Sequence, residues 1–144
     1  MRLQEHPLQG SASGTRRTIT SLHYGQGPRR ALLQASLHAD EVPAMLVAQH
    51  LRRRLAELEQ QGRLLAEVVL LPACNPLGLS QQLWGRHQGR FELDSGHNFN
   101  RHYPDLVDEA LARTAGLLGQ DAALNTALLR QAMQQALGER RPQT

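Results

Sequence analysis

The sequence lacks several features, and each absence excludes a class of protein. It has one cysteine, Cys74, in 144 residues, which excludes an intrachain disulfide framework and a zinc site built from cysteines. No apolar run approaches the ~20 residues that span a bilayer, and the first residues lack the apolar stretch of a signal peptide. We therefore expect a cytoplasmic protein without membrane contact, in which any metal is bound by histidines and carboxylates.

Lysine is also absent, so all 16 basic residues are arginines, and the formal net charge is +3. A basic chain suggests nucleic acid as a partner, but these arginines are scattered or paired along the sequence. Aromatic residues make up only 3% of the chain, which leaves little for bases to stack on. The charge therefore predicts a solvated basic surface and no nucleic-acid partner.

The length and the 40% hydrophobic content are typical of one compact domain with a real core. Residues 1–14 are polar and rich in Gly and Ser, so we expect a loosely ordered N-terminal segment. Residues 15–138 are predicted to form a single α/β domain. A polar tail over residues 139–144 follows.

Apolar runs of different spacing predict alternating strands and helices. Residues 15–22, 31–37 and 64–71 favour strands, with 31–37 buried on both faces, and residues 43–61 have the periodicity of an amphipathic helix. Strand, helix and strand over 31–71 form a βαβ unit, whose strands run parallel. Residues 104–118 and 121–137 indicate two more helices. The predicted class is α/β, with a mostly parallel sheet and helices on its faces.

A histidine and a carboxylate stand where the second strand ends, in Leu37-His38-Ala39-Asp40-Glu41. Ligands of α/β sheets bind at the carboxyl ends of strands, and an imidazole and a carboxylate three residues apart can converge on one cation. His38 and Glu41 are therefore candidate metal ligands. The alternative is an acidic residue in the first turn of a helix with a histidine nearby by chance.

The segment from 73 to 103 is long, has almost no periodicity, and is rich in Gly, Asn, His and Arg, which is typical of functional loops. It begins with Asn75-Pro76-Leu77-Gly78 and ends near Asn100-Arg101. Amide and guanidinium donors suit a carboxylate, and Arg90 adds a further positive group. The alternative is a set of turn residues and ordinary surface charges.

The order of these motifs is more specific than any one of them. His-x-x-Glu after a strand, then Asn-Pro-x-Gly and Asn-Arg-x-x-Pro, resembles the zinc carboxypeptidase superfamily, and within it the succinylglutamate desuccinylase and aspartoacylase branch. The resemblance covers roughly residues 15–104 together with the helices after them, and implies a phosphorylase/hydrolase-like fold. It also implies that His38 and Glu41 bind Zn²⁺ and that Asn100 and Arg101 hold a substrate carboxylate.

The resemblance implies that Arg90 polarises the scissile carbonyl, with Arg86 as the alternative. Two departures from the family pattern stand out. Asn98 occupies the position where many members have an aspartate that hydrogen-bonds the zinc-bound histidine, so we expect weaker zinc binding. The third zinc ligand and the general base of the family have no counterpart, and His97 or His102 could complete the metal site.

We therefore expect the N-terminal part of a larger catalytic domain, inactive or weakly active alone, whose incomplete sheet edge could drive self-association. The predicted function is zinc-dependent hydrolysis of an amide or ester bond in a small substrate that carries a carboxylate. The alternatives are a zinc carboxypeptidase that acts on peptides, and a non-catalytic fragment that keeps the fold.

Overall fold

A computed structural model describes residues 1–8 and 13–140. It divides the chain into two compact units, residues 1–101 and residues 102–144. The boundary falls inside the range that the sequence assigned to one domain, and the single-domain assignment of residues 15–138 stays a prediction. Within the described residues, no helix has both the length and the apolar character needed to cross a membrane.

The first unit contains a four-stranded sheet, one long helix and a small hairpin. Its elements in chain order are β1 (Arg2–Pro7), β2 (Thr18–Tyr24), β3 (Arg30–Gln34), α1 (Val42–Gln60), β4 (Glu67–Leu71), α2 (Pro76–Ser80), β5 (Gln82–Leu83) and β6 (Arg86–His87). Three strands and the long helix were predicted, within a few residues of these bounds.

The sheet has the strand order β1-β2-β4-β3. β3 pairs with β4 in parallel, as predicted for the βαβ unit. The β1–β2 and β2–β4 pairs are antiparallel, so the prediction of a mostly parallel sheet is wrong and the sheet is mixed. The prediction considered only the connection through α1, whereas β1 runs back along β2.

The prediction of a loosely ordered N-terminal segment is wrong for residues 2–7. They form the edge strand β1, in register with β2 from Arg2 opposite His23 to Pro7 opposite Thr18. Every residue of β1 is exposed, so main-chain hydrogen bonds hold the strand while its side chains provide no apolar face for a sequence pattern to detect. Residues 9–12 of the expected segment lie outside the described residues.

β3 is an edge strand and is not buried on both faces as predicted. All five of its residues are exposed, including Leu32 at 62%. The apolar composition indicated burial, but burial depends on what covers a strand. Here β4 pairs with one edge of β3, and the leucine side chains remain exposed to solvent.

The core lies between α1 and one face of the sheet. Leu22, Tyr24 and Leu70 from the sheet and Ala48 and Leu55 from the helix are buried together. Proline stands in the first turn of α1, and the helix ends where Gly62 takes a positive φ of 66°. Both features were expected, since proline suits a first turn and glycine adopts the left-handed conformation that closes a helix.

The second unit consists of α3 (Val107–Arg113) and α4 (Ala122–Glu139). α3 is shorter than the predicted helix of residues 104–118, and α4 matches its prediction closely. Asp121 caps α4 by accepting hydrogen bonds from two main-chain N–H groups of the first turn. The helix includes Glu139, so the predicted polar tail begins later than expected, and residues 141–144 lie outside the described residues.

Candidate metal and carboxylate site

The candidate site is built on the turn between β3 and α1. The main chain continues the sheet for one more residue, since the Ala35 N–H donates to the Leu71 carbonyl. Ser36 then adopts a positive φ of 61°, which ends the extended backbone. His38 follows with only 3% of its surface exposed. The turn therefore holds this imidazole inside the protein at the carboxyl end of β3.

His38 has a different partner on each ring nitrogen. Its Nε2 lies 2.7 Å from Asn98 Oδ1, which also accepts a hydrogen bond from the Asn100 N–H at 2.9 Å. Because Oδ1 is an acceptor in both contacts, Nε2 of His38 carries the proton. The other ring nitrogen, Nδ1, is the one that could offer a lone pair to a metal. Nδ1 lies 3.0 Å from Glu41 Oε1.

Arg90 bridges these two atoms. Its Nη1 lies 2.9 Å from His38 Nδ1, and its Nη2 donates to Glu41 Oε1 at 3.0 Å. On the other side, Arg90 Nε forms an ion pair of 3.4 Å with Asp40. The His38 hydrogen bond, followed by the one from Arg90, lowers the pKa of Glu41 from its ordinary value of 4.5. Glu41 is therefore a carboxylate at neutral pH.

Two close approaches position this turn. The Ala39 N–H donates to the Gly89 carbonyl at 2.8 Å, and a Cβ on Gly89 would lie 2.3 Å from the main-chain nitrogen of Asp40. Only glycine allows this proximity, which brings Arg90 over the turn. Asn75 supports the same turn, because its Nδ2 donates to the Leu37 carbonyl at 2.8 Å. The Asn-Pro-x-Gly motif thus contributes to the scaffold of the site.

The predicted substrate-binding pair, Asn100 and Arg101, lies next to this centre, to which a main-chain hydrogen bond connects it. Asn98 joins the two, because one amide oxygen contacts both His38 and the Asn100 N–H. Arg101 is exposed, and its Nη1 donates to the Asn100 carbonyl at 2.6 Å. The structure therefore brings the Asn98–Arg101 turn to His38 and leaves the Arg101 side chain at the surface.

The two alternative polarising arginines differ in their contacts. Arg90 contacts both candidate metal ligands, whereas Arg86 lies in β6, on a hairpin that the sequence analysis did not predict. Asp40, which holds Arg90, was quoted in the motif but given no role. The sequence feature that could have identified Asp40 is its position beside His38 and Glu41 in the turn.

The imidazole of His38 and the carboxylate of Glu41 are chemically suited to a divalent metal, but they amount to two protein ligands. His38 Nδ1 and Glu41 Oε1 converge, and an imidazole nitrogen with a carboxylate oxygen is a common zinc pair. Among residues 1–8 and 13–140, no group of three His, Cys, Asp or Glu side chains could hold a metal ion. Within the first unit, His97 therefore does not join His38 and Glu41 in such a group. Cys74 is buried and donates to the Ala35 carbonyl, and its burial raises the pKa of the thiol.

A second polar cluster, which the sequence did not indicate, lies across the strands of the sheet. Ser21 Oγ is 2.8 Å from His6 Nε2 and 3.0 Å from His23 Nε2. His23 Nδ1 is 3.0 Å from Glu67 Oε1, and Arg30 Nε donates to Glu67 Oε2. Ser21 is only 3% exposed, which is a poor position for a nucleophile. We assign this cluster to the stability of the sheet.

Comparison with known families gives a direct match. The family model described as the succinylglutamate desuccinylase/aspartoacylase catalytic domain matches residues 27–139. This range is most of the chain and includes every candidate site residue. No curated protein sequence matches the chain.

Two crystal structures of Shewanella proteins resemble the fold. One, described as a succinylglutamate desuccinylase/aspartoacylase family protein from Shewanella amazonensis SB2B, is 25% identical with a TM-score of 0.64, over 92% of this chain and 43% of that protein. The other, described as a succinylglutamate desuccinylase/aspartoacylase from Shewanella frigidimarina NCIMB 400, is 22% identical with a TM-score of 0.55, over 92% and 42%. This chain thus spans less than half the length of either protein.

Proposed function

Because the chain belongs to the succinylglutamate desuccinylase/aspartoacylase family of hydrolase domains, we propose that its turn after β3 is the metal centre of a zinc-dependent deacylase. The substrate class is a small molecule that carries a carboxylate and an amide or ester bond. One observation carries this proposal. Nδ1 of the buried His38 and the Glu41 carboxylate meet at 3.0 Å, and the contact of Nε2 with Asn98 leaves Nδ1 as the ring nitrogen available to a metal.

His38 and Glu41 would hold the zinc. When bound, zinc supplies Lewis-acid chemistry at the scissile carbonyl and makes water acidic enough to attack near neutral pH. Asn98 would keep the His38 ring oriented by accepting its Nε2 proton, as such partners of metal-binding histidines do. No side chain of the described residues is assigned as general base.

The remaining site residues would bind and orient the substrate. The Arg90 guanidinium can donate two parallel hydrogen bonds, which suits a carbonyl oxygen that gains negative charge during attack. Asn100 and Arg101 would hold the substrate carboxylate, since an exposed guanidinium beside an amide is a good anion clamp. The position of both residues beside Asn98 supports this role.

The test measures zinc first and turnover second. Chain stripped with a chelator should rebind close to one zinc ion per molecule, and His38→Ala should abolish this binding. His50→Ala is the matched control, because His50 is an exposed histidine on α1. Turnover of N-acyl amino acids but not of peptides would support the deacylase, and turnover of peptides alone would favour a carboxypeptidase. Equal zinc binding by wild type and His38→Ala would refute the proposed metal centre.

A non-catalytic role is the second candidate, and one observation favours it. The described residues offer two metal ligands where a catalytic zinc site takes three. A domain of this kind would keep the fold and bind carboxylates through its arginines without turnover. Binding of an N-acyl amino acid with no zinc in the protein, measured by calorimetry and metal analysis on one sample, would favour this candidate.

A further inference from the structure

A pocket of about 510 Å³ lies at the opposite end of the sheet from the candidate metal site. It is formed where β1, β3 and β4 begin and where β2 ends, whereas His38 follows the other end of β3. All of its lining residues belong to the first unit. The lining includes Arg2, His23, Gly25, Arg30, Glu59 and Glu67. Because most of these side chains are ionisable, the pocket is suited to a charged ligand.

Four ionisable side chains form a row across the sheet on one side of this pocket. Arg2 on β1 is opposite His23 on β2, and Arg30 on β3 is opposite Glu67 on β4. The two arginines therefore come from the two edge strands of the sheet, with the histidine and the carboxylate between them. Both arginine side chains are mostly exposed, at 69% and 68%, so their guanidinium groups can reach a ligand from two sides.

Within the row, Arg2 faces another hydrogen-bond donor. Glu67 Oε1 lies 3.0 Å from His23 Nδ1, and because a carboxylate only accepts hydrogen bonds, Nδ1 carries the proton and has no lone pair for a second group. Arg2 Nη2 lies 3.3 Å from this same nitrogen, so two donors are in contact. Its distance to Glu67 Oε1 is 3.7 Å, which exceeds that of a hydrogen bond. A ligand atom that accepts hydrogen bonds would satisfy Arg2 here.

The two carboxylates of the lining already have donors. Glu59 accepts from the Met1 α-amino group and from the Gly25 N–H, and these hydrogen bonds lower its pKa below the ordinary value of 4.5. Glu67 Oε2 accepts from Arg30 Nε at 2.6 Å. This contact and the ion pair through Nη2 use fewer than half of the N–H donors of the Arg30 guanidinium. The pocket thus combines paired carboxylates with unspent arginine donors, which is a lining for an anion.

We propose that this pocket binds a small organic anion, whose phosphate or carboxylate group is held between the guanidinium groups of Arg2 and Arg30. The planar fork of a guanidinium matches the oxygens of either group. The volume of the pocket leaves room for the rest of the molecule. The five residues of β3, at about 3.3 Å each, separate this site from the turn that carries His38. The inference is therefore independent of the proposed metal centre.

The experiment is an NMR titration of the full chain with inorganic phosphate and, separately, with succinate, at constant ionic strength because salt screens exposed charges. At least one of the two ions should shift the N–H signals of Gly25 and Gly27, which line the pocket, along a saturable curve. The ion that binds more tightly identifies the group that the site recognises. Shifts at the Arg101 N–H alone would place binding at the proposed substrate clamp and would overturn the pocket.

Arg2→Gln tests the proposed contact. It removes charge-assisted hydrogen bonds to the anion and should weaken binding by about tenfold or more. Arg16→Gln is the matched control, because Arg16 is 71% exposed, pairs with Glu5 and lies outside the lining. It should leave the affinity within about twofold of wild type. If Arg2→Gln does not fold, Arg2→Lys keeps the charge without the fork and should bind with reduced affinity. Equal affinity in wild type and the Arg2 variants, or no saturable shift with either ion, would overturn the site.

Discussion

At the scale of single residues, the site depends on how Asn98 holds His38. Its amide oxygen accepts from the His38 ring and from the Asn100 main chain, so one atom holds both the candidate metal ligand and the turn that carries Arg101. Many family members are expected to have an aspartate here. The Asn98 amide can orient the ring in the same way with less negative charge.

This difference predicts a gain of metal affinity on substitution. Asn98→Asp keeps the acceptor and adds charge, and it should tighten zinc binding several-fold. Asn98→Ala removes the acceptor and should weaken zinc binding by about 10–100-fold, the usual effect of losing such a partner. Both are measured by zinc titration of the metal-free chain. If Asn98→Asp binds zinc no more tightly than wild type, Asn98 does not limit the affinity.

Some of these residues could be predicted from the sequence and others could not, and the difference has a physical reason. His38 and Glu41 are three residues apart, so their convergence follows from local geometry. Asn98 and Arg90 are distant along the chain; Asn98 was found through the family pattern, and Arg90 first as a positive group of the long loop. Asp40 was missed as the partner of Arg90 because their pairing depends on the close packing of Gly89, which spacing does not encode.

At the scale of elements, the β5–β6 hairpin illustrates a strained turn. Trp84 and Gly85 connect the strands with φ values of 48° and 75°, and positive φ at both positions is the signature of a type I′ turn. Asn-Gly is the preferred pair for this turn, while tryptophan has a steric cost there. The hairpin was not predicted from the sequence because Trp-Gly is not a typical turn signal.

This strain predicts a stabilising substitution. Trp84 is 94% exposed, so Trp84→Asn loses little packing and should raise the free energy of unfolding by about 1 kcal/mol through relief of the turn. Urea denaturation measures the change. Trp84→Leu is the control, because leucine also removes the indole but tolerates positive φ no better. A similar gain in both variants would show that the exposed indole, and not the turn, is the cause.

A second prediction at this scale concerns the sheet. The hydrogen bond from His23, followed by the one from Arg30, lowers the pKa of Glu67 below its ordinary value of 4.5. A carboxyl group with a lowered pKa in the folded state stabilises the protein above its unfolded pKa, and this stabilisation is lost as the pH falls through the folded pKa. Glu67→Gln should therefore lower the Tm at neutral pH.

The difference between the two Tm values should shrink as the pH falls below 4.5. Thermal unfolding of both chains across this range measures it. Glu57→Gln is the control, since Glu57 forms an ion pair with Arg54 on the exposed face of α1, and such surface pairs contribute little. A Tm difference that persists unchanged in acid would contradict an electrostatic role for Glu67.

At the scale of the whole molecule, apolar periodicity in the sequence predicted the centre of the fold. The βαβ unit and the parallel β3–β4 pair arise from two apolar runs around an amphipathic helix. β1 could not be predicted, because a strand with every residue exposed has no apolar alternation. The mixed direction of the sheet was also inaccessible, since strand composition does not specify which neighbour a strand pairs with.

We predict that the chain self-associates through β3, at the exposed edge of the sheet. This strand stands at the end of the sheet order, and its Leu32 is 62% exposed. Free main-chain groups beside exposed leucine favour pairing with another chain, whereas a lysine on an edge strand opposes it. Light scattering should show a mass that rises with concentration, and Leu32→Lys should shift the chain towards monomer.

A matched control distinguishes association through the edge of β3 from association through exposed apolar surface in general. Leu65 is 78% exposed and precedes β4 in a connection outside any strand, so Leu65→Lys removes a comparable apolar surface without changing an edge. It should leave the association as it is in wild type. If Leu65→Lys and Leu32→Lys reduce the mass equally, exposed apolar surface drives association in general. If the wild-type mass stays that of one chain at every concentration, the edge of β3 is not an interface between copies.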